Sequence, residues 1–173
     1  MTSSRLIYAV ITSILISLTT LMTSAAHADL AEGKNALLVN FGFTHGGAAL
    51  GLDFENGFNR TFGLGGYFRI DPDDQTLGAR GITTVGAFIR PHFSRQQWDL
   101  YVSPGFGILF VKPTDNSGSQ TLLGPSWAIG LLYDFTPAIS FGAESMSFAS
   151  WFGKDVYRGY LQTDLMAKFR FIF

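Results

Sequence analysis

The sequence predicts an all-β protein, an eight-stranded antiparallel up-and-down transmembrane β-barrel. Glycine and phenylalanine are abundant, with 20 and 17 residues, whereas only 14% of the residues are charged. A surface that faces water usually carries more charge than that. Beyond residue 30 the apolar residues form no run long enough for a spanning helix and instead recur at every second position. A closed barrel is the remaining way for such a chain to cross a bilayer with its backbone hydrogen bonds satisfied.

The beginning of the chain predicts an export signal. Arg5 precedes an apolar run over residues 6–21, and the sequence AHA at residues 26–28 has the form of a cleavage site. A single membrane anchor is the alternative, but no basic stop-transfer cluster follows the run. We therefore expect residues 1–28 to be a cleaved signal peptide and residues 29–173 to form one barrel domain.

Eight segments with period-two alternation follow, and each is bounded by turn residues. Their predicted ranges are 36–44, 47–56, 61–71, 81–93, 97–111, 121–135, 138–149 and 159–173. In the fifth segment, for example, large apolar side chains at even positions from Trp98 to Phe110 share one face. A soluble sandwich also alternates, but its second face is rich in Lys, Glu and Thr. Here the second face is mostly Gly, Ala and Ser with sparse charges, which suits the interior of a narrow barrel.

The connections between the segments alternate in length. The second and third, fourth and fifth, and sixth and seventh segments are joined by NGFNR, SRQQ and TPA. The other connections are the longer DPDDQTLGARG, KPTDNSGSQ and SWFGKDVYRG, apart from the short THGG of the first hairpin. In outer-membrane barrels the short turns are periplasmic. An even number of strands then predicts that both termini are periplasmic.

The eight alternating segments and the last strand ending in Phe173 resemble the small eight-stranded outer-membrane barrels of Gram-negative bacteria, the OmpA/OmpX type. The resemblance covers nearly the whole chain after the signal peptide and concerns architecture, since no subfamily motif stands out. It implies a place in the bacterial outer membrane and insertion by the barrel assembly machinery. The apolar face of the last segment resembles the signal by which barrels are recognised for assembly: Leu165, Ala167, Phe169, Phe171 and Phe173. This segment must pair with the first, near Leu37–Phe43, to remove both sheet edges.

If the apolar faces point outward, most of the charge lies in the lumen. The expected luminal network comprises Asp53, Glu55, Arg69, Arg90, Asp99, Asp134, Glu144, Asp164, Lys168 and Arg170, with Asp71 on the same face of its segment. An isolated ion is very costly in such an interior, so we expect the bases to be shared among the acids. Lys168 and Arg170 are expected to turn towards Glu144 and Asp134. A selective conduit or a proton site is the alternative reading of the same charges.

Aromatic residues fall near both ends of the predicted strands. Rings at these depths are typical of the two girdles at the membrane interfaces. A ligand-binding aromatic cluster is the competing interpretation. The girdle residues are Phe62, Phe93, Trp98, Phe110, Trp127, Phe135, Trp151 and Tyr157.

Two weak catalytic patterns are present. His92-Phe93-Ser94 resembles the His-x-Ser pair of the lipid A deacylases, but it lies at a short turn and is followed by Arg95 where that family has Asn. His45 with Asp73 and Asp74 resembles the palmitoyltransferase triad, but no Ser follows Asp74. We therefore predict that the protein is not an enzyme.

The remaining predictions concern cofactors and partners. The sequence has no cysteine and no metal-ligand spacing, since His45 and His92 belong to opposite rims, so we expect no cofactor. The near-neutral charge without a basic block argues against nucleic acid. The expected partners are outer-membrane lipid, lipopolysaccharide, the barrel assembly machinery and an extracellular ligand of unknown identity. The predicted role is structural or surface-interactive with a largely side-chain-filled lumen; the alternatives are a narrow channel for small or apolar solutes and a lipid A-modifying hydrolase.

Overall fold

The computed structural model describes residues 32–44, 47–71, 79–114, 118–153 and 159–173 of the chain. They form nine strands: β1 Asn35–Thr44, β2 Gly47–Gly57, β3 Phe62–Asp71, β4 Ala79–Arg95, β5 Trp98–Val102, β6 Gly105–Pro113, β7 Gln120–Thr136, β8 Ile139–Ala149 and β9 Leu161–Ile172. Both β5 and β6 lie between β4 and β7, so together they form one crossing strand. The barrel therefore has eight crossing strands, as the sequence predicts.

The sheet closes through the first and last strands. Every pairing is antiparallel, and β1 pairs with β9 from Ala36 opposite Ile172 to Phe43 opposite Leu165. The backbone groups of Asn35 and Phe173 exchange two hydrogen bonds of 2.9 Å, so both ends of the described chain lie at one rim. This is the rim of the three short turns and is called the short-turn rim below. The predicted closure between the first and last segments is confirmed, and with it the sheet loses its edges.

Burial alternates with period two along the strands. In β9 the side chains of Asp164, Met166, Lys168 and Arg170 are buried, whereas Leu165, Phe169 and Phe171 are exposed on the outer wall. The outer wall is apolar on every crossing strand, and its exposed residues are mainly Leu, Ile, Val, Phe and Trp. The sequence therefore turns its large apolar residues outward and its charges inward, the arrangement of a barrel that is embedded in lipid.

The fifth predicted segment differs from the structure because it is interrupted at Ser103 and Pro104. Pro104 has no backbone N–H to donate to its neighbour. Its carbonyl still accepts a hydrogen bond of 3.0 Å from the N–H of Ile89, and Ser103 exchanges backbone hydrogen bonds with Ala128. β5 and β6 thus form one crossing of the barrel, although the hydrogen-bond ladder is interrupted at Pro104.

The lumen contains two apolar clusters as well as small and charged side chains. Near the short-turn rim one cluster contains Leu38, Leu132 and Ile172. At the opposite end a second cluster is formed by Ala79, Ile82, Leu109, Val111, Leu122 and Phe148. The first cluster shares its level with charged side chains, since Leu38 is opposite Arg170 on β9 and Leu132 is opposite Asp99 on β5. Apolar and charged side chains therefore lie side by side near the short-turn rim.

Several sequence predictions fall outside the described residues. They are the signal peptide at residues 1–28 and the residues His45, Asp73, Asp74 and Tyr157. Within the described segments, no helix is long and apolar enough to span a bilayer.

Candidate functional site in the barrel lumen

All ten charged residues of the expected network point into the barrel, and none is more than 4% exposed. Their position follows from parity, because each occupies an inward position of its strand. Nine of them form ion pairs with one another in two clusters, and Asp164 lies apart. The nine are contributed by β2, β3, β4, β5, β7, β8 and β9, so the network crosses the whole lumen.

The middle of the network is built on two carboxylates. Asp53 accepts from Arg69 at 2.5 Å, from Lys168 at 2.6 Å and from Arg90 at 3.0 Å. Glu144 accepts from the same Lys168 at 2.6 Å and from Arg69 at 3.2 Å. Each cation therefore lies between two acids from different strands, which offsets the cost of removing these ions from water.

A second cluster lies nearer the short-turn rim. The guanidinium of Arg170 donates to Asp99 at 2.5 Å and to Asp134 at 2.9 Å. Its Nε donates to the hydroxyl of Ser140 at 3.1 Å. A planar guanidinium has enough fixed donors to satisfy all three groups at once, which an ammonium could do less well.

His92 joins the two clusters, a position that the sequence did not predict. Its Nε2 lies 2.7 Å from Glu55, and Glu55 in turn accepts from Arg90 at 2.7 Å. Its Nδ1 lies 2.9 Å from Asp99. The signal that could have revealed this position is parity, since His92 is two residues after Arg90 and so shares its inward face.

Tyr101 was also missed as a member of the site. Its hydroxyl donates to Glu144 at 2.8 Å, and its ring lies 4.6 Å from the Arg90 guanidinium. The side chain is completely buried. It therefore fills space between charges and satisfies one carboxylate oxygen.

The charges of this network balance when His92 is an imidazolium. Five carboxylates take part, those of Asp53, Glu55, Asp99, Asp134 and Glu144, together with three arginines and one lysine. A ring that donates from both nitrogens, to Glu55 and to Asp99, is positively charged and supplies the fifth cation. The formal charges of the described residues in these ion pairs then sum to zero.

Asp164 lies apart from the network, nearer the long connections. Its Oδ1 accepts from Gln162 at 3.1 Å, and the same amide group donates to Asp71 at 2.5 Å. Inward positions on one strand are about 7 Å apart, so Asp164 is about 13 Å along β9 from Lys168. That spacing explains why the structure gives Asp164 a polar neighbour in place of an ion pair among the described residues.

A cavity of about 10 Å³ is lined by Asp53, Tyr67, Arg69, Phe88, Arg90, Ser103, Ser126, Ala128, Glu144 and Met146. That volume is close to the minimum for a single water molecule. Chemically the ion pairs can hold opposite walls of the barrel together at this depth.

The geometry does not assemble the His-x-Ser pair as a nucleophile and its base. Both ring nitrogens of His92 face carboxylates, whereas the hydroxyl of Ser94 donates to Asp99 at 3.3 Å. An activated serine needs a ring nitrogen that accepts its proton. Among the described residues, no group of three or more histidine and acidic side chains is placed to hold a metal ion.

The predicted girdle residues lie on the outer wall. Seven of the eight are described, and they are 41–60% exposed: Phe62, Phe93, Trp98, Phe110, Trp127, Phe135 and Trp151. The structure adds a chain of neighbouring rings that the sequence analysis did not identify. Successive centroids along it are 5.0–6.0 Å apart, in the order Trp98, Tyr133, Phe135, Phe141, Phe169 and Phe41. The residues expected to form the assembly signal share the outward face of β9 and the residue that follows it.

Comparison with known proteins gives structural neighbours. A scan against protein-family models finds no match, and neither does a search of the curated proteins. Among solved structures, the N-terminal β-barrel domain of Pseudomonas aeruginosa OprF superposes with a TM-score of 0.66 at 14% identity, covering 82% of this chain and 98% of that domain. Neisserial surface protein A gives a TM-score of 0.58 at 12% identity, covering 80% of this chain and 94% of that one.

The chain has the fold of the small outer-membrane barrels. A third neighbour, the outer-membrane protein Ail of Yersinia pestis in a phospholipid bilayer nanodisc, has a TM-score of 0.50 at 16% identity, covering 81% of this chain and 100% of that one. The small-barrel fold explains the closed sheet and the outward apolar wall. At these identities the likeness concerns the fold, and the network of the lumen has to be judged on its own chemistry.

Proposed function

We propose that the protein is an integral outer-membrane barrel with a non-enzymatic, structural or surface-interaction role. The observation that supports this role is the neutral network of ion pairs across the lumen, from Asp53 and Glu144 to Asp99 and Asp134, with a cavity of only about 10 Å³ beside it. A water-filled pore would need side chains that stand back from the axis. Here Arg69 on β3 and Arg170 on β9 reach across it, to Glu144 on β8 and Asp99 on β5.

The apolar outer wall and the fold of the three neighbours support a place in the outer membrane. In this proposal the short-turn rim, and with it both termini, faces the periplasm, as in barrels of this class. The barrel assembly machinery inserts the chain. The partners are outer-membrane lipid and lipopolysaccharide, together with an extracellular ligand that would contact the long connections.

Conductance across a planar lipid bilayer tests the scaffold role against the channel. We expect the purified protein to show no discrete openings, because moving an ion through the lumen would require breaking several buried ion pairs. A water-filled porin reconstituted in the same way serves as the positive control. Reproducible unitary openings that appear only with this protein would overturn the scaffold role in favour of a narrow channel.

A further inference from the structure

The outer wall has a recess on the side of β7, β8 and β9. Its volume is about 630 Å³, and it extends from the short-turn rim towards the middle of the barrel. Its lining includes Trp98, Leu131, Tyr133, Phe141, Ala143 and Ala167, with Gln97 at the rim. This volume lies within the range of small-ligand sites, roughly 300–1,000 Å³.

The strand register explains why the wall is hollow there. Leu131, Ala143 and Ala167 stand side by side on three neighbouring strands, so two of the three outward positions in this row carry only a methyl group. The next row towards the short-turn rim contains Tyr133 opposite Phe141. Large rings therefore stand next to short side chains, and the difference in their lengths creates the depression.

The recess has a polar group at its rim end. The hydroxyl of Tyr133 donates to the side-chain oxygen of Gln97 at 2.9 Å, and the Trp98 indole packs edge-on against the Tyr133 ring, with centroids 5.0 Å apart. Tyr and Trp prefer the level where hydrocarbon meets the lipid head groups, because one part of each side chain is apolar and another is polar. The recess is thus apolar at mid-membrane depth and polar where head groups would lie.

We propose that this recess binds one acyl chain of a glycerophospholipid, with the lipid head group beside Tyr133 and Gln97. The inference rests on the proposed membrane location. A void in this wall would lose the dispersion contacts that its lining could make, and a flexible chain can fill it. A second copy of the barrel would present a convex wall, which fits poorly between the projecting rings of Tyr133 and Phe141.

Trp98 allows the site to be observed directly. The sequence has three tryptophans, so replacing Trp127 and Trp151 by Phe leaves Trp98 as the reporter. This reporter protein is reconstituted in phosphatidylcholine vesicles in which a minor fraction of the lipid carries bromine atoms on one acyl chain. Quenching of the Trp98 fluorescence by bromine then reports an acyl chain beside the indole.

Two further variants of the reporter protein test the recess. Ala143→Leu with Ala167→Leu fills it, whereas Ala87→Leu enlarges an outward alanine on β4, on another part of the wall. We expect filling to reduce the bromine quenching of Trp98 at least twofold, and the control substitution to leave it unchanged. We also expect native mass spectrometry of the protein to show one retained phospholipid, which the filled variant loses.

The possible outcomes separate this inference from the proposed function. Equal quenching in the filled and control variants, or the absence of a retained lipid, would overturn the acyl-chain site while leaving the membrane location intact. A mass of two protein chains that the filling substitutions abolish would overturn it in favour of a second copy. If bromolipid at any fraction failed to quench Trp98, the membrane location would itself be wrong, and the inference would fail with it.

Discussion

The charged side chains of the lumen are stabilised mainly by ion pairs and hydrogen bonds with one another. Lys168 is completely buried, and its ammonium lies 2.6 Å from both Asp53 and Glu144. Removing one member of such a set leaves a buried charge uncompensated, which costs much more than the pair contributes when intact. His92 lies in the same way between Glu55 and Asp99, and it is the residue that connects the two clusters.

Replacing Lys168 by Met should therefore destabilise the barrel strongly. Asp53 and Glu144 would lose one of the cations that they share, and we expect the free energy of unfolding to fall by about 3–5 kcal/mol. Urea titration in detergent, followed by the different gel migration of folded and unfolded barrel, measures the change. The control is Lys34→Met, because Lys34 is exposed before β1 and only its backbone carbonyl is bonded, to the N–H of Gly57. Equal losses for both variants would contradict the role assigned to Lys168.

At the scale of strands, glycines on the inward faces leave room for large luminal side chains. Gly130 on β7 is opposite Tyr101 on β5, and the three atoms nearest to a Cβ built at Gly130 all belong to the Tyr101 side chain. That ring cannot move freely, because its hydroxyl bonds Glu144 at 2.8 Å. The strand pair thus combines a small residue with a large one, and the register of β5 on β7 determines which residues meet.

We expect Gly130→Ala to cost about 1–3 kcal/mol of stability, because the added methyl group overpacks the Tyr101 ring. Chemical denaturation of the folded barrel measures this loss. Gly66→Ala is the matched control, since the nearest atom to its Cβ would be the Gly86 carbonyl oxygen at 3.2 Å and no bulky ring is displaced. In a Tyr101→Leu background the cost of Gly130→Ala should shrink; an unchanged cost would rule out the Tyr101 clash as its cause.

At the scale of the whole molecule, the distribution of charged and apolar side chains is the reverse of that in a soluble protein. Its charges are buried in the lumen, whereas large apolar residues such as Phe54, Phe106 and Ile129 are 47–55% exposed. A contiguous exposed apolar surface of this extent would promote aggregation in water, and it is stable where lipid covers it. The buried charges and the apolar wall together fit one environment, a bilayer around the middle of the barrel.

Arginine placed at different depths of the wall should measure that environment. Leu52 is at the middle of β2 and Ile139 begins β8 at the short-turn rim; they are 46% and 40% exposed. In lipid vesicles we expect Leu52→Arg to cost about 2–4 kcal/mol and Ile139→Arg about 0–1 kcal/mol, because the penalty for a charge is largest at the midplane. Denaturant titration of vesicle-inserted protein gives both values. Similar costs at the two positions would mean that the wall is not spanned by hydrocarbon.

The local features of this protein follow from the sequence itself. Period-two alternation predicts all eight crossings with bounds that the structure shifts by at most two residues, and it assigns side chains such as Lys168, Arg170 and Phe169 to the correct faces. It does so because a strand turns successive side chains to opposite sides whatever its partners are. The break at Pro104 is the exception. Proline lacks the N–H of one ladder hydrogen bond, and whether that loss interrupts the strand depends on the neighbouring strand at this position.

The pairing of charges and the shape of the wall were decided by the tertiary structure. Lys168 meets Asp53 across 115 positions of sequence, and His92 meets Glu55 across 37. Alternation determines the face of each residue but not its height, which depends on the register of every strand between the two partners and on the closure of β1 on β9. The recess over Ala143 and Ala167 has the same origin, because two small residues create a hollow only when the register places them side by side below larger rings.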